Sequence, residues 1–215
     1  MEILIIVTIL AYMLSTAAYF AYLFIQKNNL QRIGYFILTA GILVHTATII
    51  TAFSKTGHLP VSNLRETLSL AAWAVAGVFL AIQYKYKLKI LGIIAAPLVT
   101  LIMIVVSVLP SATAQVSNIF KNFWLISHVV AIFIGEASFV LAGGLGLLYL
   151  IQENAIKTKK HRFFFKRLPS LDLLDITGYA CIVVGFTLLT LGPVSYTHLR
   201  AHETRYTISY AVFCL

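Results

Sequence analysis

Three ionisable side chains interrupt otherwise apolar stretches of this 215-residue chain: His45, His128 and Glu136. Because charged groups are costly inside a membrane, each is a candidate for a functional role. A neutral imidazole can also serve as an axial ligand of haem iron, and Trp124 lies four residues before His128. Simpler roles stay open: His45 and Glu136 as interhelical hydrogen-bond partners, and Trp124 as an anchor at the membrane interface.

The C-terminal segment contains a second pattern that could bind a metal. His198 and His202 are four residues apart with Glu203 beside them, and a helix would put both imidazoles on one face. However, "VSYTHLRAHET" followed by "ISYAVFCL" resembles a sequencing-library adapter read as codons. We therefore expect residues 1–192 to form the membrane domain, and residues 193–215 to be a non-native tail without a metal site.

The composition predicts an all-α, polytopic membrane protein. Hydrophobic residues make up 60% of the chain and charged residues 11%, and the mean hydropathy is +0.92. Several apolar runs reach the roughly 18 residues taken as the threshold for a membrane helix. The first run begins at Ile3 with no basic segment before it, which favours a retained span over a signal peptide. A soluble helical fold is excluded, since it needs helices with polar faces.

The apolar runs predict a bundle of about six transmembrane helices. The third run is short for a span, and the preceding "SNLRE" is typical of a helix start capped by Ser62 or Asn63, so an earlier start is possible. The "GGLG" of the fifth run permits close helix packing. The predicted helices are 3–25, 33–53, 68–82, 90–109, 123–150 and 176–191.

Lysine and arginine are distributed unevenly between the two sides of this bundle. Eleven lie in the first, third and fifth loops, and three lie in the loops on the opposite side: Lys55, Arg65 and Lys121. Because basic loops stay in the cytoplasm, the N-terminus and the loops at 54–67 and 110–122 are predicted to face outward. The same distribution explains the net charge of +9 without nucleic acid as a partner.

Three segments together resemble a known family. They are "GHLPVSNLRETLSLAAW", "FWLISHVVAIFIGEASFVLAGGLGLLYLIQE" and "FFKRLPSLDLLDITGYACIVVGFTLLTLG", in this order. The chain is similar to the cytochrome c assembly protein family, specifically the haem-handling membrane subunit of the System II pathway (CcsA/CcsB/ResC type). The resemblance covers nearly all of residues 1–192.

The resemblance implies both a role and a site. Such a subunit lies in the bacterial inner (cytoplasmic) membrane beside a ResB-type partner subunit, and it presents haem b on the outer face to apocytochrome c. His128 matches an external histidine that ligates the haem iron, with Trp124 beside it and the loop 57–66 shaping the site. His45 is a further candidate for haem contact. No catalytic residue is implied, and whether the family subunit counts as a synthase stays open.

The chain also departs from the family pattern. The family continues into an external W-x-W-D segment and a second histidine, whereas the only tryptophans here are Trp73 and Trp124. We therefore expect an N-terminal part of the subunit that is inactive as written. Two other hypotheses remain: a non-catalytic, HemX-like regulator of haem biosynthesis on the same fold, and a small-solute transporter, for which His45 and Glu136 would have to line a polar pathway.

Overall fold

The fold is a bundle of helices, as the sequence predicts. The structure, a computed structural model, describes residues 2–57, 59–110, 123–158 and 168–190, with residues 123–125 described as helix backbone. Six helices in these ranges are long and apolar enough to cross a membrane, which confirms the predicted all-α membrane fold. They are α1 (Glu2–Ile25), α2 (Asn28–Thr56), α3 (Leu64–Tyr86), α4 (Gly92–Val108, preceded by a 3-10 turn at Lys89–Leu91), α5 (Phe123–Thr158) and α6 (Leu171–Thr190).

The helices extend beyond the apolar runs that predicted them. Helix α2 begins five residues before the predicted position 33, and α5 continues eight residues past position 150. Hydropathy marks only the part of a helix that crosses hydrocarbon, whereas polar turns at each end can stay helical in the headgroup region. The suggested early start of α3 is confirmed, because Asn63 caps the helix and Leu64 is its first residue.

Helix α1 is packed between α2 and α4. The turn from α1 to α2 contains only Gln26 and Lys27, and Gln26 has a left-handed backbone conformation with φ of 57°. Such a short turn makes the two helices antiparallel neighbours. Helix α3 packs against α4 and α5, so the buried core lies where α1, α3, α4 and α5 meet.

Helix α6 approaches α5 through two glycines that the sequence did not single out. A Cβ atom placed on Gly185 would lie 3.0 Å from the carbonyl oxygen of Gly135. In the "GGLG" segment, only Gly144 has the predicted packing role, since a Cβ there would lie 3.2 Å from Ile94. A Cβ on Gly143 would meet no atom within 4 Å.

Candidate functional site

His45 lies at the centre of a buried hydrogen-bonded group that joins three helices. The Tyr12 hydroxyl of α1 lies 3.1 Å from His45 Nδ1, and Ser69 Oγ of α3 lies 2.9 Å from His45 Nε2. His45 and Tyr12 are completely buried, and their rings meet edge to face with centroids 5.9 Å apart. A neutral imidazole donates from one nitrogen and accepts at the other, so the two hydroxyls satisfy both nitrogens.

This arrangement bears on the candidate role of His45 in haem contact. An axial ligand must direct a nitrogen lone pair at the iron. Both ring nitrogens of His45 are instead within hydrogen-bond distance of a neighbouring side chain. Ligation by His45 would therefore require one of these contacts to open, and the geometry as it stands performs the interhelical role.

Further polar contacts cross the bundle around His45. The Trp73 Nε1–H donates to Thr46 Oγ1 over 2.9 Å, and the Tyr19 hydroxyl donates to Gln83 Oε1 over 2.9 Å. Hydrogen bonds between membrane helices contribute about 0.6 kcal/mol on average, so these contacts fix which helix faces meet more than they add stability.

Sequence reasoning missed the partners of His45, although α1 contains a signal for them. The buried residues of α1 are separated by four, three, four and three positions, the spacing of one helix face, and they are Thr8, Tyr12, Ser15, Tyr19 and Tyr22. A stripe of hydroxyl-bearing side chains at this spacing in an otherwise aliphatic helix indicates a face that turns towards polar partners.

His128 is half-buried near the start of α5. It lies five residues after the first residue of the helix, about 7 Å along the helix axis. Trp124 belongs to the first turn of the same helix, and residues four apart share a helix face. The side chain of Trp124 lies outside the described part of the structure, as do His58, His198 and His202.

The structure does not bring His128 and His45 together on neighbouring helices. His45 belongs to α2 and His128 to α5, and both helices pack against α3. Among the residues of the described ranges, no three His, Cys, Asp or Glu side chains form a group that could hold a metal ion. A haem iron needs only one or two imidazoles from the protein, so His128 alone is a chemically adequate donor.

Glu136 lies on the exposed side of α5, two turns beyond His128. Within the described residues it makes no interhelical hydrogen bond, so the interhelical role considered for it is not what this part of the chain shows. A carboxyl group in a membrane helix is stabilised by protonation or by polar groups that cover it. Glu136 and His45 therefore do not line a common pathway in the described bundle.

The segment before α3 is held in place at the same end of the bundle as His128. Asn63 Oδ1 accepts from the Glu66 N–H over 2.9 Å, and Glu66 Oε2 accepts from the Ser62 N–H over 2.9 Å. This reciprocal pair is a capping box. Arg65 Nη2 also contacts both carboxylate oxygens of Glu2 at 3.0 Å, which ties the start of α3 to the start of α1.

Comparison with known proteins identifies the family. The sequence model of the family described as Cytochrome C assembly protein matches residues 61–195, more than half of the chain. The chain belongs to the cytochrome c assembly protein family. The match contains α3 to α6, the capping box and His128, and it confirms the family resemblance of the three quoted segments.

Curated members with known names are similar to this chain over most of its length. Protein HemX of Brevibacillus brevis is 27% identical over 87% of the chain and 69% of its own length. The cytochrome c biogenesis protein CcsA of Guillardia theta is 26% identical over 88% of the chain and 69% of its own length. CcsA of Chlamydomonas reinhardtii is 30% identical over 68% of the chain and 42% of its own length. No solved structure matches the chain.

Proposed function

We propose that this multi-pass membrane protein acts in c-type cytochrome biogenesis, where it handles haem and apocytochrome c. The observation that carries the proposal is the family match over residues 61–195. It is supported by similarity to proteins named for cytochrome c biogenesis and by the six apolar helices. The activity of a complete family member is part of the proposal, because the chain spans between 42% and 69% of these three relatives.

His128 is the residue that would hold the haem iron. The donor fits chemically, since it is an imidazole that is only half-buried near a helix start, with Trp124 one turn away on the same helix. The cofactor in this proposal is haem b, and when bound it supplies the vinyl groups to which the thiols of apocytochrome c add. Trp124 would contact the haem ring, and His45 would support the site through α3.

The proposed location is the bacterial cytoplasmic membrane, with the N-terminus outside and a ResB-type subunit as partner. The excess of basic residues at the end of the bundle that contains the α1–α2 turn supports this orientation. His128 is then near the outer surface, where haem is presented. We also keep the proposal that residues 193–215 derive from an adapter, which sequencing of the source DNA across codons 185–215 tests directly.

Disruption of the gene in its host tests the proposed function. We expect c-type cytochromes to lose covalently bound haem, measured by haem staining after denaturing electrophoresis. Haem b in membranes should persist, which separates an attachment defect from a defect in haem synthesis. Unchanged haem staining of c-type cytochromes would contradict the proposal.

A regulator of haem biosynthesis is the second candidate, and the similarity to Protein HemX favours it. A regulator would act on the abundance of a haem-synthesis enzyme rather than on covalent attachment. The same disruption distinguishes the two functions, because loss of a regulator would change total haem and leave the fraction attached to cytochrome c unchanged.

A further inference from the structure

A cleft opens between the first turns of α2 and the last turns of α3, at the end of the bundle that contains the basic turns. Its volume is about 420 Å³, and its lining combines cations, amides and aromatic rings. The charged lining residues are Arg32, Lys87 and Lys89. Within the described residues, no carboxylate lines this cleft, so its lining is strongly positive.

Two buried amides indicate that the cleft is built for a ligand. Gln31 is only 7% exposed, and its side chain makes no hydrogen bond within the described residues. Gln83 is 6% exposed; its Oε1 accepts from Tyr19, whereas its Nε2 has no partner in the described part of the chain. Buried amide groups are costly unless they are hydrogen-bonded, so donors on the wall of a basic cleft indicate an anionic ligand.

The backbone around the cleft adds to the attraction for an anion. Helix α2 begins at Asn28, and its N-cap residue, Lys27, makes no side-chain hydrogen bond to the first turn. The N-terminus of a helix carries a partial positive charge and uncapped N–H groups. Lys89 Nζ donates to Asn28 Oδ1 over 3.0 Å, which holds this cation beside the start of α2.

The mouth of the cleft is apolar and faces the surroundings of the bundle. Phe36 is 67% exposed and Tyr84 is 82% exposed, and both line the cleft. Cations at helix ends and aromatic rings one turn deeper match the order of a lipid leaflet, with phosphate outside and acyl chains inside. A soluble anion would gain nothing from the exposed rings.

We propose that this cleft binds the headgroup phosphate of an acidic phospholipid from the leaflet at the basic end of the bundle. Arg32, Lys87 and Lys89 would pair with the phosphate, and Gln31 and Gln83 would donate from their amides. The acyl chains would lie along Phe36. The lipid would join the ends of α2 and α3, two helices that are held together there by few direct polar contacts. This inference is independent of the proposed function.

Native mass spectrometry of the full chain tests the proposal. The protein would be released from nanodiscs that contain equal amounts of phosphatidylglycerol and phosphatidylcholine. We expect one retained phosphatidylglycerol and, for the Arg32→Gln/Lys87→Gln variant, a loss of retention of about tenfold or more, because each cation near acidic lipid contributes substantially. Neither side chain makes a hydrogen bond or ion pair in the described ranges, so the helices should remain packed.

Two further variants make the outcome specific. Lys85→Gln removes a cation from the same turn of α3 that faces away from the cleft, over the Tyr86 ring, and should retain the lipid like the original chain. Gln31→Met keeps the shape of a buried side chain but removes its amide, and should lower retention. Equal retention by the double variant and Lys85→Gln would overturn the proposal. So would equal retention of both lipids, or displacement of the phospholipid by haem or by glycerol phosphate.

Discussion

The hydroxyl of Tyr12 lies 3.1 Å from Nδ1 of His45, and both side chains are completely shielded from solvent. The contact joins α1 to α2, and Ser69 on the other side of the imidazole extends it to α3. The most prominent histidine of the N-terminal helices is thus part of the packing of the bundle, whereas the half-buried His128 stays the better candidate for haem iron.

Removal of the Tyr12 hydroxyl should destabilise this three-helix group. We expect Tyr12→Phe to lower the free energy of unfolding in detergent by about 1 kcal/mol, because one interhelical hydrogen bond is lost and His45 Nδ1 stays buried. Tyr22→Phe is the matched control, since the Tyr22 hydroxyl makes no hydrogen bond in the described part of the chain. Equal unfolding midpoints for the two variants would show that the Tyr12 contact contributes nothing.

Hydropathy was sufficient to predict the six spans, because each needs a run of apolar residues whatever its neighbours are. It could not predict which faces meet. Gly135 and Gly185 are separated by fifty positions and become partners only when α6 lies against α5. In the same way, His45 looked equally suited to haem or to a neighbouring helix until Tyr12 and Ser69 were placed on either side of it.

The glycine contact between α5 and α6 gives a second prediction. In Gly185→Ala, the new Cβ would lie 3.0 Å from the Gly135 carbonyl oxygen, so the helices must separate at a cost of about 1–3 kcal/mol. Gly143→Ala meets no atom within 4 Å and should be neutral or should stabilise α5 by up to about 1 kcal/mol.

Thermal unfolding of both glycine variants in detergent provides the measurement. The account predicts opposite or clearly unequal changes in the unfolding temperature for two identical chemical substitutions. If Gly143→Ala were as destabilising as Gly185→Ala, the close approach of α5 and α6 would not be the cause.

The capping box before α3 gives a third prediction. Asn63→Ala removes the acceptor for the Glu66 N–H, and we expect it to destabilise the chain by about 1 kcal/mol. Ser62→Ala removes a buried hydroxyl that has no hydrogen-bond partner in the described ranges, and should leave stability unchanged or slightly raised. Hydrogen exchange of the first turn of α3 would report the difference, and identical exchange in both variants would argue against the cap.

The orientation of the bundle gives a fourth prediction. Lys85 is exposed at the basic end of α3, and Lys55 is exposed at the opposite end of α2. In a background without Cys181 and Cys214, a cysteine in place of Lys55 should react with an impermeant thiol reagent on intact cells. A cysteine in place of Lys85 should react only after lysis. The reverse pattern would place the N-terminus in the cytoplasm and remove His128 from the outer face.

Haem ligation by His128 is the central claim, and absorption spectroscopy of the purified full chain with added haem tests it most directly. The account predicts that His128→Gly loses the spectrum of the histidine-ligated iron and that added imidazole restores it, while Glu136→Gln on the same helix keeps the original spectrum. Recovery with imidazole separates a ligand from a packing residue. An unchanged spectrum in His128→Gly, or no haem binding by the original chain, would contradict the claim.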